Sequence, residues 1–143
     1  MTTRIRAARP EDAAACVTIL RDWIVSEPWM PMLHTRASME TFWTSRLSEV
    51  PAQVLVKDNQ VTGFAVFDAP WLTALYLTPA ARGQGNGARL LTAITTGAPV
   101  TDLWVFEANT VAHQFYAAQG FREVRRTAGD NEEGLPDIHM RRG

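Results

Sequence analysis

Between Leu75 and Ile94 the chain reads LYLTPAARGQGNGARLLTAI, placing Gly83, Gly85 and Gly87 within five residues, between a run with strand character and a run with helix character. Glycine loses more conformational freedom on folding than any other residue, so such a cluster implies a sharp turn or a close approach to the backbone. At the start of a helix, close approach has a ready chemistry. The first N–H groups have no partner inside the helix and lie at the positive end of its dipole, which makes a phosphate site. Arg82 adds a guanidinium to it. A nucleotide P-loop would require Lys and then Ser or Thr after the last glycine, where Ala88 and Arg89 stand instead. Gly83, Gly85 and Ala88 formally meet the dinucleotide-binding spacing. That fingerprint normally opens the first βαβ unit of a doubly wound sheet, whereas this loop lies past mid-chain. A hairpin turn at Asn86-Gly87 would need a strand after it, and ARLLTAI is built of helix formers at helical spacing.

The elements that must position this loop can be read outward from it. Arg4 to Ala8 has strand character, and Pro10, Glu11 and Asp12 open a helix with proline and acids in its first turn. Ala13, Cys16, Val17, Leu20, Trp23 and Ile24 then recur at helical spacing. The segment SEPWMPMLHT holds two prolines and cannot be helix interior, yet it carries Trp29, Met30 and His34, an aromatic and methionine cluster expected to form a substrate-binding wall. A second helix is predicted from Ser38 to about Glu49. AQVLV and VTGFAVF, flanking Asp58 and Asn59, read as a hairpin, and WLTALYL as the next strand. After the glycine-entered helix come a strand at TDLWVFE, a helix capped by Asn109 and stopped by Gly120, a strand at FREVRRT and a last one near Pro136 to Arg141. With no repeat or linker, residues 1–143 are expected to form one mixed α/β domain.

Composition narrows the function classes. Fourteen basic and fifteen acidic residues give a net charge of -1, which removes the bulk attraction expected of a nucleic-acid binder. No apolar run approaches the roughly 20 residues of a membrane span, and the N-terminal segment has no long apolar stretch of a signal, so a cytoplasmic protein is expected. The single cysteine, Cys16, has no partner for a disulfide or a thiolate metal site, and no metal is expected. Five tryptophans leave hydrophobic surface for a homodimer.

Arg82, Gly85 and Gly87 fit the Arg/Gln-x-x-Gly-x-Gly/Ala motif, and in this the chain resembles the GNAT superfamily of acyl-CoA-dependent N-acetyltransferases. LWVFEANTVAHQFYAAQGFREV is similar to the second block of that family, with Asn109, Ala112, Phe115, Tyr116, Gly120 and Phe121 at its positions, and IRAARPEDAAA to its opening strand and helix. The resemblance implies a single central, mostly antiparallel mixed sheet of six to seven strands flanked by about four helices. It implies acetyl-CoA as co-substrate, with the backbone of Leu75, Tyr76 and Leu77 on the pantetheine arm. The amides of Arg82, Gly83, Gln84, Gly85, Asn86, Gly87 and Ala88 would then cradle the pyrophosphate. Asn109 and Tyr116, seven residues apart, share a helix face that can be turned to one ligand.

The implied reaction moves an acetyl group to a primary amine of a small molecule or peptide, by direct attack in a ternary complex. Tyr116 would be the general acid: a phenol with a pKa of about 10 stays protonated beside a leaving thiolate whose conjugate acid lies near 8.5. The acceptor, an ammonium with a pKa of about 10.4, must also lose a proton. Many relatives carry an acid on the strand before the glycine loop, but WLTALYLTP has none. Glu107, at the end of the next strand, is the best substitute, with Glu27 and His34 as further candidates and Glu132 and Glu133 able to attract a cationic amine. The missing strand carboxylate leaves a second reading open, a non-catalytic acyl-CoA-binding module. A dinucleotide-binding domain, resting on Gly83, Gly85 and Ala88 alone, ranks last.

Overall fold

The computed structural model describes residues 2–143, in the order β1 (Thr3–Ala7), α1 (Ala13–Ser26), α2 (Arg36–Glu49), β2 (Ala52–Lys57), β3 (Gln60–Asp68), β4 (Trp71–Leu77), α3 (Asn86–Ile94), β5 (Thr101–Phe106), α4 (Thr110–Ala118), β6 (Arg122–Thr127) and β7 (Asp137–Arg142). The seven strands form one mixed sheet in the order β1-β2-β3-β4-β5-β7-β6, antiparallel everywhere except between β4 and β5. The expected fold class is therefore the observed one. With a single parallel pair, the sheet is not doubly wound, which removes the structural setting that a dinucleotide fingerprint requires.

Local chemistry accounts for most element ends. Asp58 and Asn59 both take positive φ, the conformation that lets a two-residue turn follow the twist of the β2–β3 hairpin. Pro10 to Asp12 make a turn of 3-10 helix before α1, in which Asp12 accepts from the Arg9 amide at 2.8 Å and pairs with Arg6 at 2.9 Å. α2 starts earlier than its apolar spacing suggested. Thr35 caps it, its hydroxyl accepting from the Ser38 amide at 3.1 Å, so Ser38 already lies in the first turn.

Apolar side chains collect on both faces of the sheet. On one face α3 and α4 cover Leu55, Phe67, Leu72, Leu103, Val105, Ile138 and Met140, with Leu90, Leu91 and Ile94 supplied by α3. On the other, α1 and α2 cover Val54, Val56, Phe64, Val66 and Ala74. The α1–α2 layer lies over the β1–β4 half. Among the described residues no helix is long and apolar enough to cross a membrane.

Two features of β4 shape the middle of the sheet. Val66 pairs with Ala74 while Phe67 pairs with Leu72, so Thr73 is an extra, bulged residue that kinks β4. β4 meets β5 at a single register pair, Trp71 with Asp102, beside a 2.7 Å bond from the Asp102 amide to the Pro70 carbonyl. Past that pair the strands part.

Candidate active site at the split in the sheet

The parting of β4 from β5 opens a cleft of about 90 Å³. Leu72 to Tyr76 line one wall, Leu103 to Phe106 the other, and Asn109, Ala112 and Tyr116 of α4 and Trp23 of α1 complete it. A strand that has lost its neighbour keeps one row of N–H and C=O groups free for an extended ligand. Leu75, Tyr76 and Leu77 lie on this stretch of β4; the first two line the cleft, and Leu77 leads into the glycine loop.

That loop is built as a helix entrance. Gly83 and Gly85 take φ of +74° and +78°, a left-handed conformation that L side chains adopt only with strain, and Gly85 is the N-cap of α3. Since the Arg89 amide bonds the Gly85 carbonyl at 3.1 Å, the amides of Asn86, Gly87 and Ala88 are the unpaired first turn. Side chains stiffen the loop from behind: Arg82 donates to the Leu77 carbonyl at 3.1 Å, Gln84 to Ala80 at 2.9 Å, and Asn86 to Ala81 at 3.0 Å. Gly87 lets α3 start close against α4, where an added Cβ would lie 3.3 Å from Phe115 Cζ.

On α4, the Asn109 side chain caps the helix, accepting from the Ala112 amide at 3.1 Å. The same residue lines the cleft. Tyr116 is half-buried between the rings of Phe115 and Phe121, at 5.2 and 5.5 Å. Burial raises its hydroxyl above the usual phenol range, helped by neighbouring Tyr76. Tyr76 itself, expected only to lend its backbone, also brings its ring to the cleft, against Trp23 at 5.4 Å and Phe64 at 5.7 Å. Burial pushes its hydroxyl up to about 12, with the charge of Glu133 contributing.

The other expected site residues fall in several places. Glu107 does not line the cleft; its exposed carboxylate faces Arg126 Nη1 at 3.6 Å. Trp29 backs the cleft without lining it, edge-on to Phe106 at 5.7 Å and Trp23 at 5.8 Å. Met30 packs inward on Val17, Ile24 and Met39, while exposed His34 pairs with Glu132 across two loops. Part of the proline-containing segment is thus core, because its apolar residues close the end of the α1–α2 layer.

Sequence reasoning passed over the cluster that holds the joined end of the split. Asp102 Oδ1 accepts from His139 Nε2 and Arg141 Nε, each at 2.7 Å. Trp71 stacks parallel to Trp104 at 6.2 Å, and Arg125 lies 4.9 Å from the Trp104 ring centre. A charged residue with alternating aromatics in a strand was the only signal, and their partners come from β7, which no local pattern places beside β5. Across β5 lies a second recess of about 280 Å³, sharing Trp104, Val105 and Phe106 with the cleft and lined also by Asp130, Asn131, Glu133 and Asp137.

The single parallel pair that parts beside a glycine-entered helix agrees with the mixed, mostly antiparallel sheet that the sequence resemblance implied. The chain belongs to the GNAT acetyltransferase family, whose domain model, described as "Acetyltransferase (GNAT) domain", matches residues 40–123. It is 31% identical over 132 residues to the "Peptidyl-lysine N-acetyltransferase YjaB" of Salmonella typhimurium, covering 92% of this chain and 91% of that protein. Among solved structures it is similar to apo YjaB from Escherichia coli, with a TM-score of 0.75 and 27% identity over 99% of this chain and 97% of that one. A phosphinothricin acetyltransferase from Sinorhizobium meliloti in complex with AcCoA shares the fold at a TM-score of 0.75, with 21% identity over 99% of this chain and 88% of that one.

Proposed function

We propose that residues 1–143 act as one catalytic domain that transfers acetyl from acetyl-CoA to a primary amine by direct attack in a ternary complex, with a lysine side chain of a peptide or protein as the acceptor. The observation that carries this reading is the single β4–β5 pair, which leaves the inner edge of β4 free for an extended ligand between the glycine loop and Tyr116. The acceptor class comes from the names of the relatives, two of which are YjaB proteins covering 92% of this chain.

Each part of the chain then has a task. The amides from Gly83 to Ala88 hold the pyrophosphate at the positive end of the α3 dipole, the Arg82 amide being already bonded to the Pro79 carbonyl at 3.2 Å, and the Leu75 to Leu77 backbone fixes the pantetheine arm. Trp23 and Phe106 exclude water from the reacting end. Tyr116 keeps its proton at neutral pH because burial disfavours the phenolate, and gives it to the sulfur as the carbon–sulfur bond breaks.

Thermal unfolding of the protein alone and with acetyl-CoA, NADH or ATP tests the reading. A ligand at about 100 times its dissociation constant stabilises by roughly 2.7 kcal/mol, a shift of several degrees. Stabilisation by acetyl-CoA alone, followed by thiol release with a lysine peptide, is the expected result. Stabilisation without thiol release across a broad amine panel would instead favour a non-catalytic acyl-CoA-binding module, and a shift with NADH alone would sink both.

A further inference from the structure

The reaction needs a group to take a proton from the acceptor ammonium, and the β4 and β5 walls bring no carboxylate into the cleft. The adjoining recess has one, on the loop between β6 and β7. That loop is tied from within: the Asn131 side chain accepts from the Leu135 amide at 3.2 Å and donates to the Leu135 carbonyl at 2.7 Å and to Asp137 Oδ2 at 3.0 Å. The Thr127 hydroxyl donates to the other oxygen of Asp137 and accepts from the amides of Gly129 and Asp130 at 3.3 and 3.2 Å. The Gly134 amide closes the turn on the Asn131 carbonyl at 3.1 Å. Glu133, at the tip, is half-buried and makes no hydrogen bond or ion pair among the described residues. It lines the larger recess, which meets the cleft along Trp104, Val105 and Phe106. Tyr76 and Tyr116 both line the cleft on the other side of those shared residues, and the Glu133 charge contributes to the raised Tyr76 hydroxyl.

We infer that Glu133 is the base on the acceptor side of the reaction and that the Tyr76 hydroxyl holds the amine nitrogen during attack. This rests on the reading of the cleft as the site of acetyl transfer. The acceptor enters along the Trp104 and Phe106 rings, whose faces suit an alkylammonium stem. Glu133 takes one proton from the ammonium and releases it to solvent. The freed lone pair forms the carbon–nitrogen bond at the thioester carbonyl, and the displaced π pair moves to oxygen. When the adduct collapses, the carbon–sulfur pair leaves with sulfur, sulfur takes the Tyr116 proton, and the extra proton on nitrogen restores Tyr116. One amide, one thiol and one proton result.

The test is the pH dependence of kcat/KM for thiol release with acetyl-CoA and a lysine-containing hexapeptide, for the wild type, Glu133→Gln and Tyr76→Phe. The titratable groups facing Glu133 are Asp130 and Asp137 in the recess, Tyr76 from β4, and Glu132 with His34 from the α1–α2 loop; the glutamine variant leaves all of them in place. Glu133→Gln should lower kcat/KM about 10²-fold at pH 7. The deficit should shrink to several-fold near pH 10, where an amine with a pKa of about 10.4 begins to deprotonate unaided. Its acetyl-CoA melting shift should match the wild type. Tyr76→Phe should raise KM for the peptide several-fold and leave the melting shift alone. A wild-type rate at pH 7, or a deficit equal at every pH, overturns the assignment to Glu133; a wild-type peptide KM in Tyr76→Phe overturns that to Tyr76. If the wild type is stabilised by acetyl-CoA yet releases no thiol with any amine, the functional reading itself fails and takes this inference with it.

Discussion

Trp71 and Asp102 form the one register pair that joins β4 to β5, and the Asp102 carboxylate also gathers His139 and Arg141 from β7. The point where the cleft begins is therefore also where the two halves of the sheet are tied. Asp102→Ala would leave Arg141 and His139 without their shared acceptor in a largely buried place. The expected cost is about 3 kcal/mol in urea unfolding, since breaking a buried pair strands its partners. A loss below about 1 kcal/mol would mean that water replaces the carboxylate.

The same residue should appear in the acid limb of stability. Burial alone would raise the Asp102 carboxyl, but the hydrogen bonds from Arg141 and His139 outweigh it and hold it below its usual value. A carboxyl with a depressed folded pKa contributes stability that is complete above its unfolded value of about 3.9 and fades as pH falls through the folded one. Between about pH 4 and pH 2 the wild type should thus lose more stability than Asp102→Asn. Parallel curves for the two proteins would contradict this.

Gly85→Ala isolates the glycine loop. An added Cβ would meet nothing within 4 Å, so the whole effect comes from the φ of +78°. A non-glycine residue there costs about 1 kcal/mol, and the relaxed N-cap would turn the first amides of α3 away from the pyrophosphate. Calorimetric titration should show acetyl-CoA binding weakened about tenfold, with only a small change in melting temperature.

Tyr116→Phe should reduce turnover roughly 10²-fold or more with acetyl-CoA affinity nearly intact. Because burial raises the Tyr116 hydroxyl, its acid form persists as pH rises, and kcat should show no alkaline decline through about pH 9. A decline centred near pH 8 would assign the acid to another group.

Cys16 is fully buried in α1, where burial pushes its thiol up to about 12. As the chain's one cysteine, it should be silent to an aromatic disulfide reagent in the native protein and titrate as one equivalent in denaturant. Native reactivity within minutes would show that α1 opens readily. The silence also leaves the thiol-release assay free of background.

Local patterns carried most of the element order. Helical spacing marked α1, proline and glycine punctuation bounded the strands, and the glycines before ARLLTAI together with Asn109 and Tyr116 on one helix face marked the elements that border the candidate site. All of these are short-range properties of period, capping and turn chemistry, which neighbouring residues impose without reference to the rest of the chain. The convergence of elements was another matter. That β7 inserts between β5 and β6, that β4 and β5 touch at one pair, and that Glu133 lines the recess beside the cleft while Glu107 turns to Arg126 each depend on pairing between segments far apart in sequence. Strand ends look alike to a reader of spacing. The register of β5 against β7 turns Glu107 out toward Arg126, and the bonds of Asn131 and Thr127 hold the tip of the β6–β7 loop at the recess, because the side of a strand or loop that faces the core is settled by what packs against it.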